Sequence, residues 1–366
     1  MIINSIDTKD ISVIVQGKID EKYTLLCLES VRKYLPDSEI ILSTWENSNI
    51  ENLDYDILVL NKDMNDIISD FVNNVVNNIN RQLLNTQNGL KKANKKYSLK
   101  IRTDSLLLNN NFINYFDKFE SFNEKYKIFQ NKVIVSSIYS KKYSSENNLM
   151  IPFHVSDFHF FGLTKDIKDY FIETKLLPSY DMSKYNFKYD NLLHYRNYTA
   201  RYTPEQYYCY SWAKRKFNDI KFDDDSDINY KTYQISLNIM YNNFIFLDLE
   251  QSGIHNQKHS LAFNDSNNIY NIISYEKFNR KYKKLCVDKE DYDIDEFSYW
   301  ANNLIGYLDM QVRKLTNDIN INKLNRKITI LDIICGFIFS IEYFYNKKII
   351  TILGFKITIK DKKGGI

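Results

Sequence analysis

The sequence predicts an open α/β fold, in which helices flank a mostly parallel sheet, with a mainly helical C-terminal region. Short apolar runs rich in β-branched residues alternate with helical periodicity over about the first hundred residues. Such alternation is typical of parallel strands joined by right-handed helical crossovers. The chain of 366 residues is 44% hydrophobic, so it can bury a large core without disulfides or metals.

The predicted elements begin with a buried strand at Ile11–Gln16, where the letters ISVIVQ carry no charge. A helix follows at Tyr23–Leu35, because apolar residues recur there every three or four positions, and Pro36 ends it. Glu39–Thr44 and Asp56–Asn61 are predicted as the second and third strands, since each is a nearly continuous apolar run.

The next predicted elements are a long helix at Asn73–Asn94 and, after a short basic turn, a strand at Tyr97–Arg102. Ser156–Phe161 is predicted as a later strand that carries Asp157, and Asn243–Leu249 as another. Open α/β sheets bind ligands beyond the carboxyl ends of their strands. The candidate functional residues are therefore those at which these strands end.

The C-terminal region, residues 266–366, is predicted to be mainly helical, because residues 296–315 place apolar side chains on one helical face. Phe355–Lys360 alternates with period two, like an edge strand. The apolar segment Ile328–Phe344 has cationic neighbours on both sides. It is expected either to pack on the core as a C-terminal helix or to lie at a membrane interface as a peripheral contact.

The composition excludes several classes of protein. The formal net charge is +3, with 49 Lys and Arg against 46 Asp and Glu, so the sequence has no electrostatic footprint for nucleic acid. Aromatic residues make up 15% of the chain, which excludes a disordered protein. No signal-like segment opens the sequence, and its dispersed cysteines predict a reducing compartment, so a cytoplasmic protein is expected. These cysteines are Cys27, Cys209, Cys286 and Cys335.

Polar residues stand at three predicted strand ends. Gln16 and Gly17 end the first strand, Thr44 and Trp45 end the second, and Arg102–Asp104 ends the fourth. Because the carboxyl ends of parallel strands share one edge of a sheet, these residues are expected to line one ligand site.

The segment Asn85–Asp104, NTQNGLKKANKKYSLKIRTD, contains a helix with Gly89, a basic turn, and a strand that ends in an Asp. It resembles the segment that leads into the DxD motif of GT-A glycosyltransferases, in which the glycine has the same spacing from the second Asp. The chemistry explains the motif, since charge develops on the leaving diphosphate of a sugar nucleotide. A carboxylate-held divalent cation or fixed cationic side chains can neutralise it.

Six blocks of the sequence, within about residues 11–210, resemble the WavE lipopolysaccharide-synthesis family in the family's order. They are VIVQGKID, SVRKYLPDSEIILSTW, NINRQLLNTQNGLKKA, LKIRTD, PFHVSDFHFFGLTKDI and PEQY. The family is regarded as glycosyltransferases of bacterial surface polysaccharide assembly. The resemblance implies a GT-A-like fold, a nucleotide-sugar donor, and a glycan or lipid-linked glycan acceptor, for capsule or lipopolysaccharide, at the inner face of the cytoplasmic membrane.

The sequence as a whole also predicts a domain organisation, although the resemblance itself covers only about residues 11–210. Residues 1–265 are expected to form the GT-A-like domain, with residues 266–366 as the helical C-terminal region. Within that domain, the nucleotide-binding half is expected over about residues 1–135 and the acceptor half over about residues 136–265.

One position departs from the DxD pattern, because Arg102 stands where the first Asp belongs. Asp104 could hold a divalent cation, Mn²⁺ or Mg²⁺, which is the expected cofactor. Alternatively, Arg102, with Lys100 behind it, could bind the diphosphate directly. Alternate strand residues face the same side, so Lys100, Arg102 and Asp104 are expected to project together. A third possibility is an ion pair of Arg102 with Asp104 that binds no ligand.

Further candidates for the donor site lie on the second strand and the long helix. Arg81 and Gln82 precede Gly89 by one to two helical turns, and Arg81 is expected to reach the donor phosphates or ribose. The other possibility is a solvated helix face. Trp45, next to Thr44, is expected to stack on a base, unless it is a buried core residue.

Two carboxylates compete for the catalytic role. Asp157 lies among aromatic residues, where an acid must be paired or functional, so it is a candidate for the base that deprotonates the acceptor hydroxyl or for an orienting carboxylate. Glu205, at a predicted helix N-terminus, is the rival, unless it only caps that helix. His255 and Lys258 are candidates to fold over the diphosphate.

Two other classes of function stay open on the sequence alone. A sugar-phosphate transferase or nucleotidyltransferase could use a similar sheet, and the released product would distinguish it. A non-catalytic glycan-binding protein could use the 29 tyrosines, 23 phenylalanines and 3 tryptophans as stacking platforms.

Overall fold

Strands and helices alternate along the N-terminal part of the chain, as the apolar periodicity predicts. The computed structural model describes residues 6–64, 67–70, 75–143, 150–178, 202–223, 229–258, 271–305, 339–344, 347–352 and 355–360. Its strands are β1 (Ile11–Gln16), β2 (Glu39–Trp45), β3 (Ile57–Asn61), β4 (Ile67–Asp70), β5 (Val75–Asn77), β6 (Tyr97–Arg102), β7 (Ser105–Leu107), β8 (Val133–Ser136), β9 (Phe160–Leu163), β10 (Phe244–Leu247), β11 (Ile254–Asn256), β12 (Phe339–Phe344), β13 (Lys347–Ile352) and β14 (Phe355–Lys360). Its α-helices are α1 (Glu21–Tyr34), α2 (Ile79–Lys92), α3 (Thr164–Ile172), α4 (Pro204–Lys214), α5 (Tyr230–Asn243), α6 (Leu249–Ser252) and α7 (Tyr275–Tyr282), and residues 296–305 are also helical.

A mixed sheet of seven strands lies at the centre of the compact unit Met1–Tyr299. Its order is β3-β2-β1-β6-β9-β8-β10. The pairs β1 with β2, β1 with β6, β2 with β3, and β8 with β10 are parallel, whereas β9 runs antiparallel to both of its neighbours. This mostly parallel, helix-flanked sheet confirms the predicted GT-A-like fold class. The unit ends later than the predicted boundary after residue 265.

Helix α2 packs on β1 and β2, and a glycine makes this close approach possible. A Cβ atom at Gly89 would lie 2.6 Å from Ile14 Cγ2 and 3.2 Å from Ser43 Cβ. Any larger residue would therefore force the helix away from the sheet. The glycine of the DxD-like segment thus sets the distance between the helix and the strands that carry the site.

Buried aromatic rings fill the core between the sheet and the helices α3 and α4. The rings of Phe129 and Trp212 have centroids 4.3 Å apart, and Phe244 lies edge-on to Phe129 at 5.4 Å. Phe160 and Tyr170 join the same cluster at 5.1 Å. These aromatic residues are part of the core, so they are not surface platforms for a glycan.

The predicted strand Ser156–Phe161 is wrong in its position, because β9 begins only at Phe160 and Asp157 lies in the loop before it. Phe153 in that loop has a φ of 58°, a left-handed conformation that a strand cannot contain. The Val155 N–H donates to the Phe153 carbonyl at 3.1 Å, which tightens the turn. Asp157 therefore occupies a loop held close to the sheet.

Other boundaries follow the prediction more closely. Strands β1, β2, β3 and β6 match the predicted ones to within one residue at each end. The predicted helix Asn73–Asn94 begins only at Ile79, because Val75–Asn77 forms β5. The strand β8 was not predicted, since its four residues, VIVS, are too short to show a period.

The C-terminal region departs from the mainly helical prediction where it is described. Helices occupy residues 275–287 and 296–305, but β12, β13 and β14 form a three-stranded antiparallel sheet, in which β14 is the predicted strand Phe355–Lys360. Residues 306–338 lie outside the described part, and so do most of the predicted segment Ile328–Phe344 and the end of the predicted helix 296–315. Within the residues described, no helix combines the length and apolarity needed to cross a bilayer.

Candidate active site

The carboxyl ends of β1, β2 and β6 meet at one point of the sheet. In the parallel register, Gln16 is opposite Arg102 on one side and Ser43 on the other. The Thr103 N–H donates to the Gln16 carbonyl at 3.0 Å, and the Gly17 N–H donates to the Ser43 carbonyl at 3.1 Å. The strand-end residues Gln16, Gly17 and Arg102 are therefore neighbours, as the sequence predicts.

Gly17 keeps this junction compact. Its φ is 132°, and a Cβ atom there would lie 3.0 Å from Thr103 Oγ1. The Thr103 hydroxyl in turn donates to the Lys18 carbonyl at 2.7 Å. A side chain at position 17 would thus strain the backbone and displace the turn that carries Arg102 and Asp104.

Arg102 and Asp104 form a two-pronged ion pair. Arg102 Nε donates to Asp104 Oδ1 and Arg102 Nη2 donates to Asp104 Oδ2, both at 2.9 Å. Asn256 Nδ2 also donates to Asp104 Oδ1, at 2.8 Å, and the Phe158 ring lies 5.1 Å from the guanidinium carbon. The side chain of Asp104 is only 6% exposed and that of Arg102 is 27% exposed, so the guanidinium is the part open to a ligand.

The charge of Arg102 is secured by its partner. Burial alone would lower the pKa of Arg102, but attraction to Asp104 outweighs burial and raises it. The guanidinium therefore stays positive at every physiological pH, fixed in one orientation.

Asp104 is the predicted ligand of a divalent cation, and its surroundings bear on that prediction. Both of its carboxylate oxygens accept hydrogen bonds, so a cation would have to displace the fork of Arg102. In the described part of the chain, no group of three or more His, Cys, Asp or Glu side chains is arranged to hold a metal ion. These residues, as placed, do not fit a resident metal; the divalent cation stays a prediction.

Lys100 interacts electrostatically with Arg102 and Asp104, as strand alternation predicts, and its contact with the donor stays a prediction. It is fully buried, and its ammonium group donates to the Asp157 carbonyl. Burial lowers the pKa of Lys100 to about 8, although the Asp157 carboxylate favours the charged form. His159 lies close to it, and burial together with Lys100 lowers the pKa of His159 to about 3. Lys100 therefore anchors the Asp157 loop from the protein interior.

Asp157 and Glu205, the two rival candidates for the catalytic acid or base, interact electrostatically. Asp157 is 4% exposed, and Glu205 is partly buried in the first turn of α4. Burial raises the pKa of Glu205, and the nearby negative charge of Asp157 raises it further. A carboxyl group whose pKa is raised in this way is a candidate for proton transfer.

Trp45 and Arg81 lie together at the end of β2. The Arg81 guanidinium carbon is 5.3 Å from the centre of the partly buried Trp45 ring. Arg81 Nε donates to Asp63 Oδ1 at 2.9 Å, and Nη2 lies 2.5 Å from Oδ2. Arg81 is thus held against Trp45 and Asp63, and its predicted contact with the donor phosphates or ribose stays a prediction.

Thr44 and Gln82 lie on the same side of the site. Thr44 is fully buried, with its hydroxyl oxygen 2.9 Å from that of Ser48. Gln82 is partly buried in the first turn of α2, where its N–H donates to the Asn78 carbonyl at 3.0 Å. Their predicted contacts with the donor stay predictions.

The segment that contains β11 lies beside the motif. Strand β11 pairs antiparallel with β7, which follows Asp104 directly, and the Gln257 N–H donates to the Asp104 carbonyl at 2.9 Å. His255 is partly buried, and this burial lowers its pKa. Lys258 Nζ lies 3.8 Å from Asp20 Oδ2, with half of the lysine side chain exposed. His255 and Lys258 therefore lie in a segment bonded to the one that carries Asp104, and their predicted contact with the diphosphate stays a prediction.

Three residues that sequence reasoning did not single out belong to the site. Asn256 fixes Asp104, and Phe158 faces Arg102. Tyr139 has a φ of 63° and lies 5.1 Å from the Phe158 ring, and burial followed by the Glu205 charge raises its pKa. The aromatic residues around Asp157 were noted in the sequence, but as part of a strand, and nothing local to Asn256 or Tyr139 indicates their distant partners.

The sheet and the residues at its carboxyl edge define a GT-A-like α/β protein with a fixed guanidinium at its centre. The family model for WavE lipopolysaccharide synthesis matches residues 11–315, and the chain belongs to this family. Among solved structures, the crystal structure of S. aureus TarS 1-349 is similar at 11% identity and a TM-score of 0.31, covering 95% of this chain and 98% of that one. A likeness this distant supports no inference about activity. A comparison with curated proteins gave no match.

Proposed function

We propose that this protein is a glycosyltransferase that moves one sugar from a nucleotide-sugar donor to a growing bacterial surface polysaccharide, either lipopolysaccharide or capsule. The observation that carries the proposal is the Arg102 guanidinium, fixed by Asp104 at the joint end of β1 and β6. Open α/β sheets bind their ligands at this edge, and a fixed cation there suits a diphosphate. The family supports the class of polymer.

On the donor side, Arg102 binds the diphosphate and neutralises the charge that develops as its bond to the sugar breaks. Asp104 holds the guanidinium still, so little reorganisation accompanies the reaction. Gln16 and Gly17 line the pocket at the end of β1, and Trp45 stacks on the base.

On the acceptor side, the deprotonated Glu205 accepts the proton of the attacking hydroxyl. The hydroxyl oxygen forms a bond to the anomeric carbon, the bond from that carbon to the phosphate oxygen breaks, and the nucleoside diphosphate leaves with the electron pair. A pKa raised toward neutrality suits a general base better than that of an ordinary carboxylate, because proton transfer is then more favourable. Asp157 orients the acceptor and keeps the pKa of Glu205 high.

A divalent cation, Mn²⁺ or Mg²⁺, is the alternative means of neutralising the diphosphate, with Asp104 as its ligand. A bound cation would supply the same electrostatic stabilisation of the leaving group. Both carboxylate oxygens of Asp104 already accept hydrogen bonds from Arg102, so we favour Arg102 as the group that neutralises the diphosphate. The proposed reaction therefore uses no metal.

A thermal-shift screen of nucleotide sugars, with and without Mn²⁺, tests the proposal. A donor at 100 times its Kd stabilises the protein by about 2.7 kcal/mol, which such a screen detects readily. The released product then identifies the reaction. A nucleoside diphosphate supports sugar transfer, whereas a nucleoside monophosphate or pyrophosphate would indicate a sugar-phosphate transferase or nucleotidyltransferase instead. Binding of glycans without any donor turnover would contradict catalysis altogether.

We further propose that the reaction occurs in the cytoplasm, with peripheral contact at the inner membrane through the cationic flanks of Ile328–Phe344. Flotation with vesicles that contain anionic lipid tests this contact. A chain truncated after Asn325 should lose vesicle binding; equal binding of the truncated and full chains would contradict it.

A further inference from the structure

A group of cations lies on the acceptor side, outside the site described so far. Lys277, Arg280 and Lys281 lie on α7, and the fourth cation is Lys142. Backbone pairing between residues 140–142 and 271–273 holds them together, since the Lys142 N–H donates to the Asn271 carbonyl at 2.9 Å. We call these four residues the basic cluster.

The charges of the basic cluster repel one another. Burial, together with the charges of Lys277, Lys281 and Arg280, lowers the pKa of Lys142 to about 8. Among the described residues, two acidic side chains lie near the cluster. The negative charge of Asp248 favours the charged form of Lys277, and Glu276 Oε1 lies 3.7 Å from Arg280 Nε. The four cations therefore outnumber the neighbouring acids, and a bound anion would relieve their repulsion.

Tyrosine rings flank these cations. The Lys142 ammonium lies 5.6 Å from the Tyr143 ring, and the Lys281 ammonium lies 4.9 Å from the Tyr292 ring. The Tyr233 hydroxyl donates to the Lys142 carbonyl at 3.2 Å. Tyr233 and Tyr292 are buried, so Tyr143, which is partly buried, is the ring of these three that can face a sugar.

One short segment connects the basic cluster to the catalytic carboxylates. Tyr139, near its start, interacts with Glu205 and faces Phe158, and Lys141 lies near enough to Glu205 to lower its pKa. Lys142 is the next residue. Even a fully extended segment, at about 3.3 Å per residue, would separate Tyr139 and Lys142 by at most about 10 Å, within the span of one oligosaccharide.

We propose that the basic cluster, with Tyr143 beside it, forms an acceptor subsite that binds phosphate or carboxylate groups of the growing glycan. This inference rests on the proposed function and names the class of its acceptor as an anionic polysaccharide. The anionic groups bind at the cluster while the sugar that is extended lies at Glu205.

The test compares two variants of the full chain with matched loss of charge. The site variant carries Lys277→Gln, Arg280→Gln and Lys281→Gln, and the control carries Lys283→Gln, Lys284→Gln and Lys289→Gln, which are exposed. A milder variant, Arg280→Gln with Lys281→Gln, keeps the bond from Lys277 Nζ to the Ile272 carbonyl and serves if the triple variant does not fold.

The probes are maltoheptaose with and without phosphate groups, measured by calorimetry, and UDP, GDP and CDP, measured by thermal shift. We expect the Kd for the phosphorylated oligosaccharide to rise about tenfold or more in the site variant, comparable to the loss of one charge-assisted hydrogen bond. The control variant and nucleotide binding should be unchanged.

An equal loss of oligosaccharide binding in both variants would overturn the inference, because it would indicate unspecific attraction. It would also be overturned if the site variant lost binding to phosphatidylglycerol vesicles but kept the phosphorylated oligosaccharide, which would indicate a lipid surface. If no nucleotide binds while the phosphorylated oligosaccharide still distinguishes the variants, the anionic-glycan subsite stands and the proposed transferase function fails.

Discussion

The two sides of the candidate site handle charge in opposite ways. On the donor side, each cation has an acidic partner: Arg102 pairs with Asp104, and Arg81 pairs with Asp63. On the acceptor side, two acids, Asp157 and Glu205, lie near one another and share partial burial. Paired charges stay ionised over a wide pH range, whereas neighbouring like charges move a pKa into the working range. The first arrangement suits steady binding of a diphosphate, and the second suits proton transfer.

The largest expected effect is at Glu205. Glu205→Gln removes the base while keeping its shape, so kcat should fall about 10²- to 10⁴-fold. In the unaltered enzyme, the base is active when deprotonated, so kcat/KM should rise with pH. The midpoint of this rise, the acidic limb of the profile, should lie well above the pKa of an ordinary carboxylate. The Glu205→Gln variant should lose this limb. The exposed Glu173 gives a matched control, Glu173→Gln, and equal activity of the two variants would exclude Glu205 as the base.

The next effect concerns the ion pair. Asp104→Asn keeps the shape of the side chain but removes the charge that orients Arg102, so transfer should fall by roughly 10²-fold. Arg102→Lys should be similarly impaired, because a point charge replaces a fork. If Arg102 neutralises the diphosphate, the unaltered enzyme should keep its activity in EDTA.

The metal hypothesis predicts a different pattern for the same proteins. Activity of the unaltered enzyme should vanish in EDTA and return with Mn²⁺, and donor affinity of the Asp104→Asn protein should not respond to Mn²⁺. Full activity of a folded Asp104→Asn protein would contradict both hypotheses, because each needs the negative charge of Asp104.

A smaller effect on kcat should distinguish two buried lysines in similar surroundings, Lys100 and Lys132. Burial lowers the pKa of Lys100 and of Lys132 to about 8, and each ammonium donates to a backbone carbonyl. Lys100 anchors the Asp157 loop, whereas Lys132 lies near Cys286. Lys100→Met should therefore lower kcat about tenfold or more through misplacement of that loop, and Lys132→Met should not.

The pH dependence of the free energy of unfolding is the control for the two lysine variants. Since burial depresses both folded-state pKa values, the unfolded chain binds more protons between about pH 8 and pH 10.5, and the free energy of unfolding should rise with pH in that window. Either replacement should flatten this rise in urea unfolding. Equal activity of the two variants would show that Lys100 has only a structural role.

The pH dependence itself offers a further test of the acceptor side. Asp157→Asn removes the negative neighbour of Glu205, so the pKa of Glu205 should fall and the acidic limb of kcat/KM should move to lower pH. A limb that stays in place would mean that burial alone raises the pKa, and Asp157 would then keep only its orienting role.

The donor side could be predicted from sequence, because its parts are local. Buried parallel strands are continuous apolar runs, so β1 and β6 were visible, and their neighbouring carboxyl ends brought Gln16, Gly17 and Arg102 together. The burial of Lys100 shows the limit of this reasoning. Alternation gives the face of a strand but not the depth at which a side chain ends, and Lys100 turned out to be buried.

The acceptor side could not be assembled from sequence for a physical reason. Asp157 and Glu205 interact across a long separation in the chain, and their coupling depends on how the loop before β9 packs beside α4. Residues 156–161 were predicted as a strand, but β9 begins only at Phe160, so the sequence did not show that Asp157 lies in a loop. Asn256 likewise reaches Asp104 from a segment 152 residues away.

The smallest expected effect on catalysis comes from a pair of glycines that separates folding from function. Gly89 lies away from the ligand, and a Cβ atom there would meet Ile14 Cγ2 at 2.6 Å, so Gly89→Ala should lower the free energy of unfolding by about 1–3 kcal/mol. Its kcat should stay close to that of the unaltered enzyme at a temperature where both are folded. Gly17→Ala strains the turn at the site, where φ is 132°, and should lower kcat as well as stability. Urea unfolding and transfer assays on both variants decide the matter, and a large loss of kcat in folded Gly89→Ala would mean that the spacing between α2 and the sheet itself positions the donor.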